Sequence, residues 1–332
     1  MITTHIDYKV LIDFFKNKPK SDDEGGNDDE NLWYYTIKCY LKSKTNLQIG
    51  CYNSNLPYSN FINDLTTGRE NSKLYPIMTN SILSETPIIE NNLHSVFFSE
   101  LNEAQCNNVK NKCGLLIGNL DNYKNNFNDL LGFHKVGILP VRESSPLFNS
   151  WNQLKDFLLP YTDVIIYDNF LLSDSSLLKS NLFQIIKNLS NSASVKFNIL
   201  IFFKRKDEND LLRLGKIYES INEECIKSYQ INCNLGLILT DIKTEFKEHD
   251  RGIFMNYMRI YSGDSFNYFK EDGSILTSGT DIHFQFFSNP NYFISANAAL
   301  INIKNIFLNA IQNKGLTKPF IGFTENRLFN NI

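Results

Sequence analysis

The residues best suited to chemistry lie towards the C-terminus. There the chain reads His249-Asp250-Arg251-Gly252-Ile253-Phe254-Met255-Asn256 and, seven residues on, Gly263-Asp264-Ser265-Phe266-Asn267. His249 and Arg251 alternate on the approach to an apolar, strand-forming run, so both side chains leave the backbone on one face and can flank a single phosphate. Arginine is a planar fork that matches two phosphoryl oxygens at once, whereas lysine is a compact point charge. Asn256, Ser265 and Asn267 supply neutral donors for the same oxygens. The plainer alternative is structural, with Arg251 paired to a carboxylate such as Asp168 and His249 hydrogen-bonded to the core. In a chain this rich in asparagine, an Asn at a given spacing also arises readily by chance.

The spacing resembles the H-x-K-x4-D and G-S-x-x-N elements of phospholipase D-like phosphodiesterases, with Arg251 in place of Lys, Asn256 in place of Asp and Ser265 one residue off the usual serine. The resemblance implies that His249 attacks phosphorus while the cation and the asparagine hold phosphoryl oxygens. Exchange of Lys for Arg keeps the charge, and exchange of Asp for Asn removes one that an acid-base cycle would use, so the residues speak for phosphate recognition more than for turnover. Phe246-Lys247-Glu248-His249-Asp250-Arg251, Arg259-Ile260-Tyr261-Ser262-Gly263, Phe266-Asn267-Tyr268-Phe269 and Thr280-Asp281-Ile282-His283-Phe284 further resemble the C-terminal phospholipase D-like domain of MIT-domain proteins. The strand ending Tyr167-Asp168-Asn169-Phe170 matches that family's acidic strand end, and the likeness runs over about residues 160–290. Asn169 stands where the family has Pro, and no MIT hairpin precedes the domain. The fold and the phosphate-facing residues therefore transfer, and the family's membrane and division partners do not.

Three functions follow as expectations. The first is a phosphate-recognising, non-catalytic interaction module, serving a microbial nucleic-acid-targeting or defence complex. The second is a metal-independent nuclease working through His249; because relatives with one histidine motif build their site across a two-fold axis, it would be a homodimer. The third is a structural adaptor within a multi-protein complex. The ligand expected is nucleic acid or another phosphodiester, with no cofactor.

Composition narrows the field. The formal net charge is −3 and 42% of residues are hydrophobic, so the chain has a core to bury and no global attraction to nucleic acid or anionic lipid. A phosphate must be held locally. Cys39, Cys51, Cys106, Cys113, Cys225 and Cys233 lack C-x-x-C spacing and the five histidines lack metal-ligand spacing, so no metal is expected. No segment resembles a leader or a membrane span, which makes a cytoplasmic location and no integral membrane association the expectation.

The elements that must position these residues read as α/β: a mixed, mostly parallel sheet with helices on both faces over residues 151–332, preceded by an N-terminal α/β region over 1–150 that includes an acidic loop at 21–30. Strands are expected at 32–41, 47–52, 113–118, 137–141, 163–167, 197–203, 236–239 and, after the His-x-Arg element, 254–261. Helices are expected at 177–189, 211–226 and 296–313. Asp168 ends a strand, where open α/β sheets gather ligands, and it could orient Arg251 or His249; as a turn or cap carboxylate it would be merely structural. Lys204 and Arg205 follow the next strand, and parallel pairing would bring them to the same sheet end, where they would add positive charge to a phosphodiester groove.

Overall fold

The computed structural model describes residues 2–16, 35–38, 46–51, 74–75, 80–84, 93–120, 130, 132–133, 137–142, 148–172, 174–192, 196–204, 209–240, 251–276, 280–312 and 318–330. It is mixed α/β and divides into two units, Met1–Lys135 and Val136–Ile332. The acidic loop at 21–30 lies outside the described residues.

The first unit holds an all-parallel sheet of β1 (Thr3–Asp7), β2 (Asn46–Gly50), β3 (Leu74–Tyr75), β4 (Val96–Ser99) and β5 (Leu116–Asn119), in the order β3-β2-β1-β4-β5. Helix α1 (Tyr8–Lys16) follows β1 without a break, and α2 (Glu103–Cys113) joins β4 to β5. Local chemistry delimits α2. Asn102 caps its first turn in a reciprocal box with Gln105, and Gly114 ends it at φ 62°, a conformation that costs other residues dearly. Cys106 and Cys113 turn inward against Phe97, Leu115 and Ile117. Residues 35–38, expected within a strand, are helical, with Ile37 buried; burial overrides their β-branched and aromatic preference.

The second unit carries β6 (Gly137–Pro140), β7 (Asp163–Tyr167), β8 (Phe197–Lys204), β9 (Cys233–Thr240), β10 (Arg251–Phe254), β11 (Met258–Ser262), β12 (Asp281–Phe286) and β13 (Phe320–Gly322), in the order β13-β9-β8-β7-β10-β11-β12-β6. Strand β6 pairs with β12, so this unit begins ahead of the boundary expected at residue 150. The sheet is mixed, as expected, but parallel only across β7, β8 and β9. There each crossover contains a helix, α3 (Leu182–Ser192) and then α4 (Asn209–Ser220), which runs on into a π-helical turn at Ile221–Lys227. From β7 towards β6 the pairings are antiparallel, and β10 and β11, joined by three residues, form a hairpin that could not return parallel. That hairpin corrects the single strand expected over 254–261. The turn of Met255, Asn256 and Tyr257 contains neither Gly nor Pro, and its one turn-favouring residue, Asn256, does not stand out in so asparagine-rich a chain.

Both faces of the sheet are covered. Helix α5 (Pro290–Gln312) places Phe307 edge-on to Phe202 of β8, and on the opposite face Phe157, from a 3-10 segment at Trp151–Phe157, stacks on Phe284 of β12 at 4.1 Å. The central strand β7 is therefore buried at every position. Arg259 is buried on the α5 face between the rings of Phe254 and Tyr261, with Nη1 3.5 Å from Ser295 Oγ.

Strand β13 can approach β9 only because Gly236 lacks a side chain: a Cβ there would lie 1.8 Å from the Phe323 carbonyl oxygen. Gly236→Ala is expected to cost roughly 1–3 kcal/mol by displacing β13. Gly215→Ala, in open space on α4, is expected to stabilise by up to about 1 kcal/mol. Denaturant midpoints of the two variants check both signs.

Candidate functional site

Asp168 directly follows β7, and its N–H extends the ladder to Phe202 O at 3.2 Å. Its side chain is fully buried, and both carboxylate oxygens are engaged. Oδ1 accepts from Phe170 N at 2.8 Å, and Oδ2 accepts from Ser265 Oγ at 2.8 Å and from Phe266 N at 2.7 Å. Asn267 Nδ2 donates to Phe170 O at 3.1 Å. The segment after β11 is thus drawn down over the end of β7.

A second buried side chain anchors the far end of the same segment. Asn181 Oδ1 accepts from Phe269 N at 3.0 Å and from Trp151 Nε1 at 3.1 Å, while its Nδ2 donates to Phe269 O at 2.8 Å. Trp151 in turn stacks on Tyr268 with centroids 5.3 Å apart. Residues 263–269 are therefore held between Asp168 and Asn181, with aromatic packing beneath.

Arg251 stands at the start of β10, opposite Ser262 and on the same face as Asp168. Nη1 donates to Gly263 O at 2.8 Å and lies 3.7 Å from the exposed Asp264 carboxylate, which also accepts from Thr280 Oγ1 at 2.8 Å. The guanidinium sits 5.1 Å from the centre of the Phe170 ring. The side chain is 12% exposed, and Nε is buried with no hydrogen-bond partner among the described residues.

The structure thus brings together Asp168, Arg251, Ser265 and Asn267. Asn256 is not among them. It lies in the hairpin turn at the opposite end of β10, five residues from Arg251 and so about 16 Å away along the strand; a hairpin reverses the chain where a continuous strand was expected. Lys204 ends β8 at the same carboxyl edge as Asp168, but alternation sends its side chain to the other face. His249 and Arg205 lie outside the described residues. Asp264 and Phe170, not expected as partners of Arg251, lie in the same two segments as Ser265 and Asp168.

The first unit holds a further arrangement that the sequence does not announce. Asp7 ends β1 where the strand order reverses, and its Oδ2 accepts from Ser81 Oγ at 2.7 Å, Ser99 Oγ at 2.8 Å and Glu100 N at 3.0 Å. Oδ1 occupies the space over Gly50, 2.4 Å from where a Cβ would stand. Cys51 and Glu100 complete a cluster whose ligand atoms lie within 4.8 Å of one another. The hydrogen bonds tie β1, β4 and residue 81 together. Asp7, Cys51 and Glu100 meet only where adjacent parallel strands end, so their spacing along the chain carries no signal of the cluster.

Comparison with models of known protein families finds none that matches the chain, and no curated protein is similar to it. Among the described residues no helix is long and apolar enough to cross a membrane.

Burial pushes the Asp168 carboxyl up, against the opposing effect of the three hydrogen bonds and of Arg251. The folded state then keeps a proton that the unfolded state releases between the ordinary carboxylate range and the raised value. The stability contributed is greatest below that range and declines as pH rises through it. Asp168→Asn is expected to cost about 1–3 kcal/mol, because an amide presents N–H to a backbone donor. The gap between wild type and variant should narrow as pH rises from about 4, which urea denaturation across pH measures.

Proposed function

We propose that the second unit is a phospholipase D-like module that recognises a phosphate or phosphodiester, nucleic acid above all, without cleaving it. The observation that carries this reading is the state of Arg251. Its guanidinium is oriented by Gly263 O and the Phe170 ring, its close carboxylate neighbour is exposed and 3.7 Å off, and Nε is a buried donor without an acceptor among the described residues. An unsatisfied buried donor costs about 1–3 kcal/mol, which a phosphoryl oxygen would relieve. Ser265 and Asn267 belong to the segment that begins at Gly263, and their side chains donate to Asp168 and to Phe170 O.

A binding role is favoured over turnover because the acid-base partners are otherwise engaged. Asp168 gives one oxygen to Phe170 and the other to the Ser265-Phe266 segment, and Asn256, which replaces the motif's acid, lies at the other sheet end. Such a module would act in the cytoplasm within a nucleic-acid-targeting or defence complex, drawing a phosphate by local rather than net charge.

The test is binding and cleavage of labelled single- and double-stranded DNA and RNA in EDTA, with thermal midpoints recorded for each variant. Wild type should bind without cleaving, and affinity should fall with added salt. Arg251→Ala should weaken binding on the order of 10-fold or more and Arg251→Lys less, while both stay folded. Absence of binding overturns the reading. Chelator-resistant cleavage that is lost in His249→Ala replaces it with a nuclease.

A further inference from the structure

Helix α5 contains a single charged residue, Lys304, among its 23, in a chain that is 21% charged. One stripe of it, including Ala296, Leu300, Ile303, Phe307 and Ala310, is buried. A second stripe runs along the other side: Ile294, Ala298, Ile301, Asn305, Leu308 and Gln312, all exposed. Ile294 is 64% exposed and Ile301 43%. The steps between these six alternate between four and three residues, the spacing of a two-stranded coiled-coil seam. A helix apolar on two opposite sides is one that is covered on both.

We propose that this stripe is a homodimer interface, in which α5 packs in parallel against α5 of a second copy. The seam is complementary to itself about a two-fold axis along the helix. Ile294, Ile301 and Leu308 occupy one set of heptad positions and meet their own counterparts. Asn305 meets the other copy's Asn305, where the two amides satisfy each other and a lone seam asparagine selects two strands in one register. An antiparallel pairing centred on the stripe would instead set Asn305 against Ile301 and strand the amide in apolar surroundings. Of the positions flanking the seam only Lys304 is charged, and its Nζ donates to Phe329 O at 2.7 Å. Nothing on this face therefore selects a charged partner. A membrane surface is disfavoured for the same reason, since helices that lie on membranes carry basic flanks. The helix is about 34 Å long, and a seam of that length with its flanks reaches the roughly 1,000 Å² that a stable interface requires. The inference is independent of the phosphate reading.

Sedimentation equilibrium of the full chain between about 1 and 100 μM tests it. The wild type should be a dimer, with the same dissociation constant at low and high salt. Ile301→Glu and Leu308→Glu should each raise that constant on the order of 100-fold or more, with circular dichroism unchanged, because each places a charge on both sides of the seam. Leu276→Glu, at an exposed apolar residue elsewhere, should leave the dimer intact, and Asn305→Ile should associate into larger species. A wild-type monomer at the highest concentration overturns the proposal, as does a dimer that survives both seam substitutions.

Discussion

The second unit is organised around the cost of burying one carboxylate. A charge with the exposure of Asp168 would be prohibitive by several kcal/mol if left unpaired, so the chain must bring donors to it. It brings them from two places far apart in sequence, Phe170 just after β7 and Ser265-Phe266 after β11. Meeting that requirement sets the path of residues 263–267, and that path supplies the Gly263 carbonyl that orients Arg251. The cation at the sheet edge is thus placed at second hand, by an anion whose own oxygens are fully used.

The mixture of parallel and antiparallel pairing serves the same end. Parallel strands β7 and β8 deliver Asp168 to a carboxyl edge, and β10, antiparallel to β7, begins at that edge, so its first residue, Arg251, stands beside it. A wholly parallel arrangement would have put the start of β10, and Arg251 with it, at the opposite edge. Aromatic packing of Trp151, Tyr268 and Phe148 then fills the space under the loop, and the Asn181 amide closes its far end.

Much of this was legible in the residues and some was not. Strands β7, β8 and β9 are continuous apolar runs, and α3, α4 and α5 show helical periodicity, so the alternation that defines an α/β fold could be read directly. Asp168 could be singled out as a polar residue ending an apolar strand, and Arg251, Ser265 and Asn267 by a spacing that resembles a phosphodiesterase motif. Asn256 could not be placed, because the hairpin turn of Met, Asn and Tyr lacks Gly and Pro, and its one turn-favouring residue is Asn, which is common throughout this chain. The membership of β6 was also hidden: four residues following the first unit give no sign that their partner is β12. The Asp7 cluster depended on the juxtaposition of three parallel strand ends, which spacing along the chain does not encode.

The pairing of β6 with β12 has a consequence for how the molecule is made. Pro140 of β6 emerges during synthesis about 140 residues before Asp281, the residue it will face. Throughout that interval β6 has no partner, and an unpaired strand is an invitation to wrong pairing. Gly137 weakens it as an independent strand, and Pro140 withholds a backbone donor, so the strand that waits longest is also one of the least able to template another. The outer edge of the second sheet is therefore written first and closed among the last.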